Sequence, residues 1–215
     1  MIKVTTLKGV YDSNTFIVEC GSTCILIDAG APADVVNKAL AGRKIFAIFL
    51  THEHFDHIFN LADYMYHFKG CPIYVHPATL EEIKTNQLNS SLGGSFGVKL
   101  QVKTVLRFDY FNTLSDNQYL SVAPLQIKAI FAPGHSNGSV VYSITDTQKS
   151  STLLFTGDVL FKNAIGRTDL VPDGKAQMQK TLQVLQKLRF DTAYHGHDTP
   201  SDYDRAQKTI KRHLD

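Results

Sequence analysis

A mixed α/β fold, with strand-rich segments closed by helices, is what this 215-residue sequence predicts. Three observations point there. The N-terminal stretch holds three β-branched, apolar runs separated by turn residues. Ile45–Leu50 is short and continuously apolar, which marks a strand buried on both faces, so helices must cover its sheet. The second half then repeats the strand-rich start.

Taken in order, Ile2–Val10, Thr15–Cys20 and Thr23–Asp28 read as strands, with a hairpin turn at Gly21-Ser22. Pro32 suits the first turn of a helix reaching Ala41. After the Ile45–Leu50 strand, Ile58, Leu61, Ala62, Met65 and Phe68 recur at helical spacing over His57–Phe68. Pro72–Val75 is a short strand, and Pro77 opens a helix through Ile83. Lys84–Lys103 is irregular and rich in Asn, Ser and Gly, as functional covers and mobile loops both are. Phe96 there reads equally as a lid anchor or as a packing residue. Gln126–Phe131, Ser139–Thr145 and Thr152–Thr156 follow as strands. Val171–Arg189 reads as a helix whose Met178, Leu182, Leu185 and Leu188 form a core-facing stripe. Asp191–Tyr194 is a last strand and Ser201–Leu214 a last helix. No composition break marks a linker, so residues 1–215 read as a single domain of two similar halves.

The composition is that of an ordinary globular protein. A net charge of +2 offers no case for nucleic acid or for an anionic membrane. Cys20, Cys24 and Cys71 form no Cys-x-x-Cys and are expected as reduced, partly buried thiols. The N-terminus shows no charged head with an apolar run behind it, and no run is long enough to span a bilayer, so cytoplasmic residence is the expectation. Nothing in the sequence marks an oligomer interface.

The chemistry is concentrated in Thr51-His52-Glu53-His54-Phe55-Asp56-His57. Three imidazoles and the Asp56 carboxylate suit zinc, iron or manganese. Four donors on one short loop exceed what a single ion with an open position needs, which points to two adjacent ions. It is not the His-Glu-x-x-His pair of zincins, because Asp56 stands where the second His belongs. Three more places share one arrangement, a strand end, a Gly and then a donor: Gly134-His135, Gly157-Asp158 and Gly196-His197. If the strands end at one edge, their donors converge there. Asp158, flanked by Gly157 and an apolar Val159-Leu160-Phe161, would be poorly solvated unless paired or coordinated.

These residues resemble the metallo-β-lactamase-fold hydrolases from Asn14 and the Leu26-Ile27-Asp28-Ala29-Gly30 strand end to His197. Pro133-Gly134-His135-Ser136, Phe155-Thr156-Gly157-Asp158-Val159-Leu160-Phe161 and Ile165-Gly166-Arg167-Thr168-Asp169 make the chain similar to short, single-domain glyoxalase II-like (hydroxyacylglutathione hydrolase-like) proteins. The resemblance implies a four-layer αββα sandwich and a dinuclear site. In it His52, His54 and His135 hold one ion, Asp56, His57 and His197 the other, and Asp158 bridges. Zinc is the expected ion, with iron or manganese also suited to the donors. Asp56 and Asp158 become the catalytic carboxylates, and a metal-bridging hydroxide attacks a small-molecule thioester. His197, after the Gly, is favoured over His195, which becomes a supporting residue. Asp28 steadies the His loop, caps the following helix, or does both. Arg167 either meets the substrate's thiol portion or pairs with Asp169 within its loop.

Departures and rivals are also legible. Larger glyoxalase II enzymes carry a C-terminal helical domain that grips glutathione, and this sequence ends soon after its last donor. An Fe(II) persulfide dioxygenase of the same fold is the nearest alternative, followed by a lactonase or phosphodiesterase. A β-lactamase would place Cys where Asp158 stands. A metal-binding module without catalysis fits least, because structural zinc sites are closed and four-coordinate.

Overall fold

The computed structural model describes residues 1–86 and 106–214. The twelve strands among them form two six-stranded sheets. The first contains, in spatial order, β1 (Lys3–Lys8), β2 (Asn14–Cys20), β3 (Thr23–Ile27), β4 (Ala47–Phe49), β5 (Ile73–Val75) and β6 (Phe111–Thr113). The second runs from β7 (Tyr119–Val122) through β8 (Leu125–Phe131), β9 (Val140–Asp146), β10 (Ser151–Phe155) and β11 (Thr192–Tyr194) to β12 (Ser201–Asp202). The helices are α1 (Ala33–Leu40), α2 (Phe55–Ile58), α3 (Leu61–His67), α4 (Pro77–Asn86), α5 (Gly174–Leu185) and α6 (Tyr203–Leu214).

Strand alternation sorts the apolar residues into layers. On β2 and β3, Phe16, Val18, Ile25 and Ile27 point to the space between the sheets, where they meet Ile127, Tyr142, Ile144 and Phe155. Ile17, Cys24 and Leu26 point the other way, onto Val36 and Leu40 of α1 and Leu61, Tyr64 and Met65 of α3. On the far side, Ile130, Val141, Leu154 and Ala193 pack on Met178, Leu182 and Leu185 of α5 and on Ala206 and Ile210 of α6. Three apolar seams between four layers make the expected αββα sandwich. The α5 stripe is core, as its periodicity indicated. Tyr142 crosses the central seam and donates its hydroxyl to the Leu50 carbonyl at 2.7 Å, binding the second sheet to the strand end that carries the His loop.

Several elements differ from the sequence reading, each for a physical reason. The central run forms a strand only over Ala47–Phe49, and Phe46 is exposed at the surface. The helix expected over His57–Phe68 is two, because Asn60 turns its backbone N–H to the Ala29 carbonyl and its side-chain amide to the Gly30 carbonyl. The helix after Val171 starts only at Gly174, since Asp173 sits in the left-handed region (φ 55). Ser201–Asp202 pairs with β11 before α6 begins, and Asp202 then accepts the Arg205 N–H. α4 continues through Lys84 to Asn86, and the rest of the irregular 84–103 segment, including Phe96, lies outside the described residues. β6 and β7, both at sheet edges and half-exposed, had no apolar alternation strong enough to announce them. All three cysteines are buried and free, and burial holds the thiols of Cys24 and Cys71 up at about 11 and about 12. Among the described residues no helix is long and apolar enough to cross a membrane.

The Tyr142 bond makes a measurable prediction. Tyr142→Phe keeps the ring packing and removes one buried hydrogen bond, so urea denaturation should show a loss of about 1 kcal/mol in unfolding free energy.

Candidate metal centre

Strand direction brings the donors together. β3, β4 and β5 run parallel, so their C-terminal ends share one edge of the first sheet. β3 delivers Asp28 there, and β4 leads into Thr51, His52 and His54, with Asp56 and His57 on α2. In the second sheet β10 and β11 are also parallel, and their ladder continues past both strands through Thr156 N–H to Tyr194 O and Gly196 N–H to Gly157 O. Asp158 and His197 therefore emerge side by side, and His135 follows the end of β8. Glycine is required where these turns touch. A Cβ on Gly196 would lie 1.9 Å from Asp158 Oδ1 and 2.9 Å from His57 Cε1. Gly157 adopts a left-handed conformation (φ 49) against Thr51.

All seven sequence-derived donors meet at this edge, in three overlapping trios whose ligand-type atoms lie within 4.8 Å of one another: His52, His54 and His135; His52, His57 and Asp158; Asp56, His57 and His197. Each trio draws on both halves of the chain. His135 Nε2 faces His54 Nδ1 at 2.8 Å, and His197 Nε2 lies 2.9 Å from Asp56 Oδ2 and 3.3 Å from His57 Nε2. Asp158 stands between the groups, with Oδ1 3.3 Å from His57 Nε2 and Oδ2 3.4 Å from His197 Nε2 and 3.7 Å from His135 Nε2.

The outer hydrogen bonds decide which nitrogen of each ring is bare. Asp28 accepts from the Thr51 N–H (2.7 Å), from the Thr51 hydroxyl (2.9 Å) and from His57 Nδ1 (2.8 Å). Having given its one proton to Asp28, the Thr51 hydroxyl accepts from His52 Nδ1 at 2.9 Å. His135 Nδ1 donates to the Arg167 carbonyl and His197 Nδ1 to the Tyr11 carbonyl, each at 3.1 Å. His52, His57, His135 and His197 thus turn Nε2 to the centre as the nitrogen a cation would meet, as outer partners of metal-bound histidines arrange. His52 Nε2 and Asp158 Oδ1 are buried with no hydrogen-bond partner among the described residues. Such orphaned acceptors are costly unless something cationic meets them. The donor set fits divalent cations.

Electrostatics point the same way. Burial, with neighbouring imidazoles, drives His52 well below its ordinary 6.5 and His54 to about 3. Burial also lowers His135, against the pull of Asp158. Burial would raise Asp158, but His57 and His197 outweigh it and hold that carboxyl well below 3.8. Conversely, burial would lower His57 and His197, yet the facing carboxylates win. His57 is raised, with Asp158 and Asp28 against it, and His197 reaches about 9 beside Asp158 and Asp56. In the metal-free protein these two rings carry the positive charge that the carboxylates demand.

Beside the donors opens a cavity of about 280 Å³. His54, Asp56, His135 and Asp158 form one side, and Tyr11, Phe55, Phe161 and Leu170 form apolar walls, with Arg167 at the rim. Arg167 spends its guanidinium on Asp169 in a bidentate pair (2.9 and 2.7 Å), so the loop-pairing alternative for this residue is the one the geometry displays. Asp28 does not cap α1, whose first turn has no side-chain cap. His195 stays out of the centre. It is fully buried, held between the Leu160 carbonyl and Ser201 Oγ, and lowered by burial to about 4.

Two contributors escaped the sequence reading. Glu53, the spacer between two donors, is buried and accepts from Thr79 Oγ1 and Ser136 Oγ, both at 3.0 Å. It ties the His loop to the His135 turn. The Tyr11 carbonyl that orients His197 belongs to a turn in which Tyr11 and Asp12 both have positive φ. Main-chain contacts of this kind leave no residue signature.

Comparison with known proteins agrees with this geometry. The family profile of the Metallo-beta-lactamase superfamily matches residues 9–197. The chain is 32% identical over 197 residues to the probable metallo-hydrolase YqgX of Bacillus subtilis (strain 168), covering 89% of this chain and 88% of that one. It is 29% identical over 170 residues to a hydroxyacylglutathione hydrolase of Yersinia pestis (strain Pestoides F), covering 79% of this chain but 54% of that enzyme. Among solved structures, TTHA1623 in a di-iron-bound form superposes with a TM-score of 0.77 at 26% identity, over 96% of this chain and 98% of that one.

Two outcomes are expected. Gly196→Ala should fold yet push Asp158 aside, weakening metal binding by about 10–100-fold in a chelator competition assay. Chelator-treated protein should lose stability as pH rises from 6.5 through about 9, because the proton that His197 holds only in the folded state is released there. Below that window His52, His54 and His135, kept neutral by burial, reverse the slope. Denaturation at a series of pH values checks both limbs, and His197→Asn should make the upper one shallower, leaving the share that His57 contributes.

Proposed function

This chain belongs to the metallo-β-lactamase superfamily, and from that membership we propose that it is a dinuclear metallohydrolase that cleaves small-molecule thioesters, as glyoxalase II-like enzymes do. The observation that carries the reading is Asp158, a buried carboxylate within 3.7 Å of three imidazole nitrogens that belong to two donor groups. His52, His54 and His135 would hold one divalent ion, Asp56, His57 and His197 the other, and Asp158 would serve both. Cations bound there supply a strongly acidified water and polarise a carbonyl oxygen. Zinc, iron and manganese all suit such donors.

The chain's own residues do the rest. Asp28, Thr51 and the Tyr11 and Arg167 carbonyls fix the ring orientations, so little reorganisation is needed during turnover. Asp158 and Asp56 offer carboxylate oxygens on the cavity side, where they orient water and balance the charge of the cations. Hydrolysis forms a C–O bond at the acyl carbon and breaks the C–S bond, with the electron pair leaving on sulfur. A thiol, of ordinary pKa about 8.5, departs without a dedicated acid.

The kinship to hydroxyacylglutathione hydrolases supports the thioester, and this chain spans about half of those enzymes' length. Asp158→Ala should abolish thioester hydrolysis and lower bound metal from two ions per chain, measured by elemental analysis beside a thiol-release assay. Full activity at unchanged stoichiometry would remove Asp158 from its role. One iron per chain with oxygen uptake on a persulfide would replace the proposal with the dioxygenase alternative.

A further inference from the structure

We infer that the cavity beside the donors receives the acyl half of the substrate, and that this acyl group is uncharged and apolar. The inference rests on the thioester reading above and adds the substrate class. A carbonyl placed at Asp158 has two substituents, and the cavity of about 280 Å³ has room for the smaller. Its walls are made by Phe55, Phe161, Leu170 and the ring of Tyr11, which meets Phe55 edge-on at 5.3 Å. Phe161 is held at the wall by a tight turn, its N–H bonded to the Ala164 carbonyl and the flanking Leu160 bridged to Ile165.

Charge works against the alternative. A carboxylated acyl group needs a cation to meet it. The rim cation, Arg167, is already committed to Asp169 through two short bonds. A hydroxyl on the acyl chain would face aromatic and aliphatic carbon, and a polar group buried without a partner is penalised. Apolar extension gains instead. Each methylene transferred into such walls is worth about fourfold, from ~0.8 kcal/mol per buried CH₂.

The test uses the metal-loaded protein and one small neutral thiol, N-acetylcysteamine, carrying different acyl groups. From butyryl to hexanoyl, kcat/KM should rise about tenfold, and succinyl and lactoyl should fall at least tenfold below butyryl. Phe161→Ala and Leu170→Ala should flatten the butyryl-to-hexanoyl rise. Succinyl or lactoyl turned over as well as butyryl overturns the inference and leaves the thioester reading standing. A second readout needs no turnover: NMR titration with butan-2-one and hexan-2-one, followed at Phe161 and Leu170. Affinity should rise about tenfold from the shorter ketone to the longer and lose that rise in Phe161→Ala. Equal affinity, or shifts elsewhere, overturns the cavity assignment. Absent hydrolysis of every thioester with the ketone preference intact overturns the thioester reading alone.

Discussion

One carboxylate, Asp28, governs the geometry of this protein's chemical edge. Its two oxygens accept three hydrogen bonds, from the backbone and hydroxyl of Thr51 and from His57. Through the same hydroxyl it sets His52. Two rings and the start of the His loop thus take their orientation from a single side chain at the end of β3. Asp28 is buried in a left-handed conformation (φ 62), an unusual state for a non-glycine residue that its three donors stabilise. With Asp28 absent, the His loop would have neither its angle nor its tautomers.

The layered architecture exists to hold that edge steady. Parallel strands in each sheet finish at the same level, and α2 follows the first sheet's loop at once. The two sheets are joined across the middle by interdigitated aromatics, including Phe16 edge-on to Phe155 and Phe49 edge-on to Tyr142. Asn14 adds a polar cross-tie, donating to the His195 and Asp198 carbonyls on either side of His197. The donors are carried on segments that leave the ends of buried strands, with Asp56 and His57 on α2. That is why side chains far apart in sequence meet at hydrogen-bonding distances.

Much of this was legible in the residues, for reasons that can be named. The β-branched, apolar runs with turn residues between them announced the strands at Thr15–Cys20 and Thr23–Asp28. The strand–Gly–donor pattern located His135, Asp158 and His197, because a donor after a tight turn at a strand end has one place to go. What stayed hidden depends on tertiary partners. Asn60 breaks a helix only because Ala29 and Gly30 lie beside it. β6 and β7 acquire strand character from their neighbours. Glu53 looked like a spacer, since its role requires Thr79 and Ser136 to arrive from elsewhere. Arg167 had two readings until the Asp169 pair was visible.

Every donor trio takes members from both sides of the chain's midpoint. A cation seated there would act as a clasp between segments that also meet through the hydrophobic seam and through polar ties such as Tyr142 to Leu50 and Asn14 to His195. Each trio is complete only when the two pieces meet, so occupancy of all three would report whether they are correctly joined. Coordination and tertiary assembly become one event, and a chain severed between β6 and β7 would have its fragments' reunion driven by the metal as well as by the core.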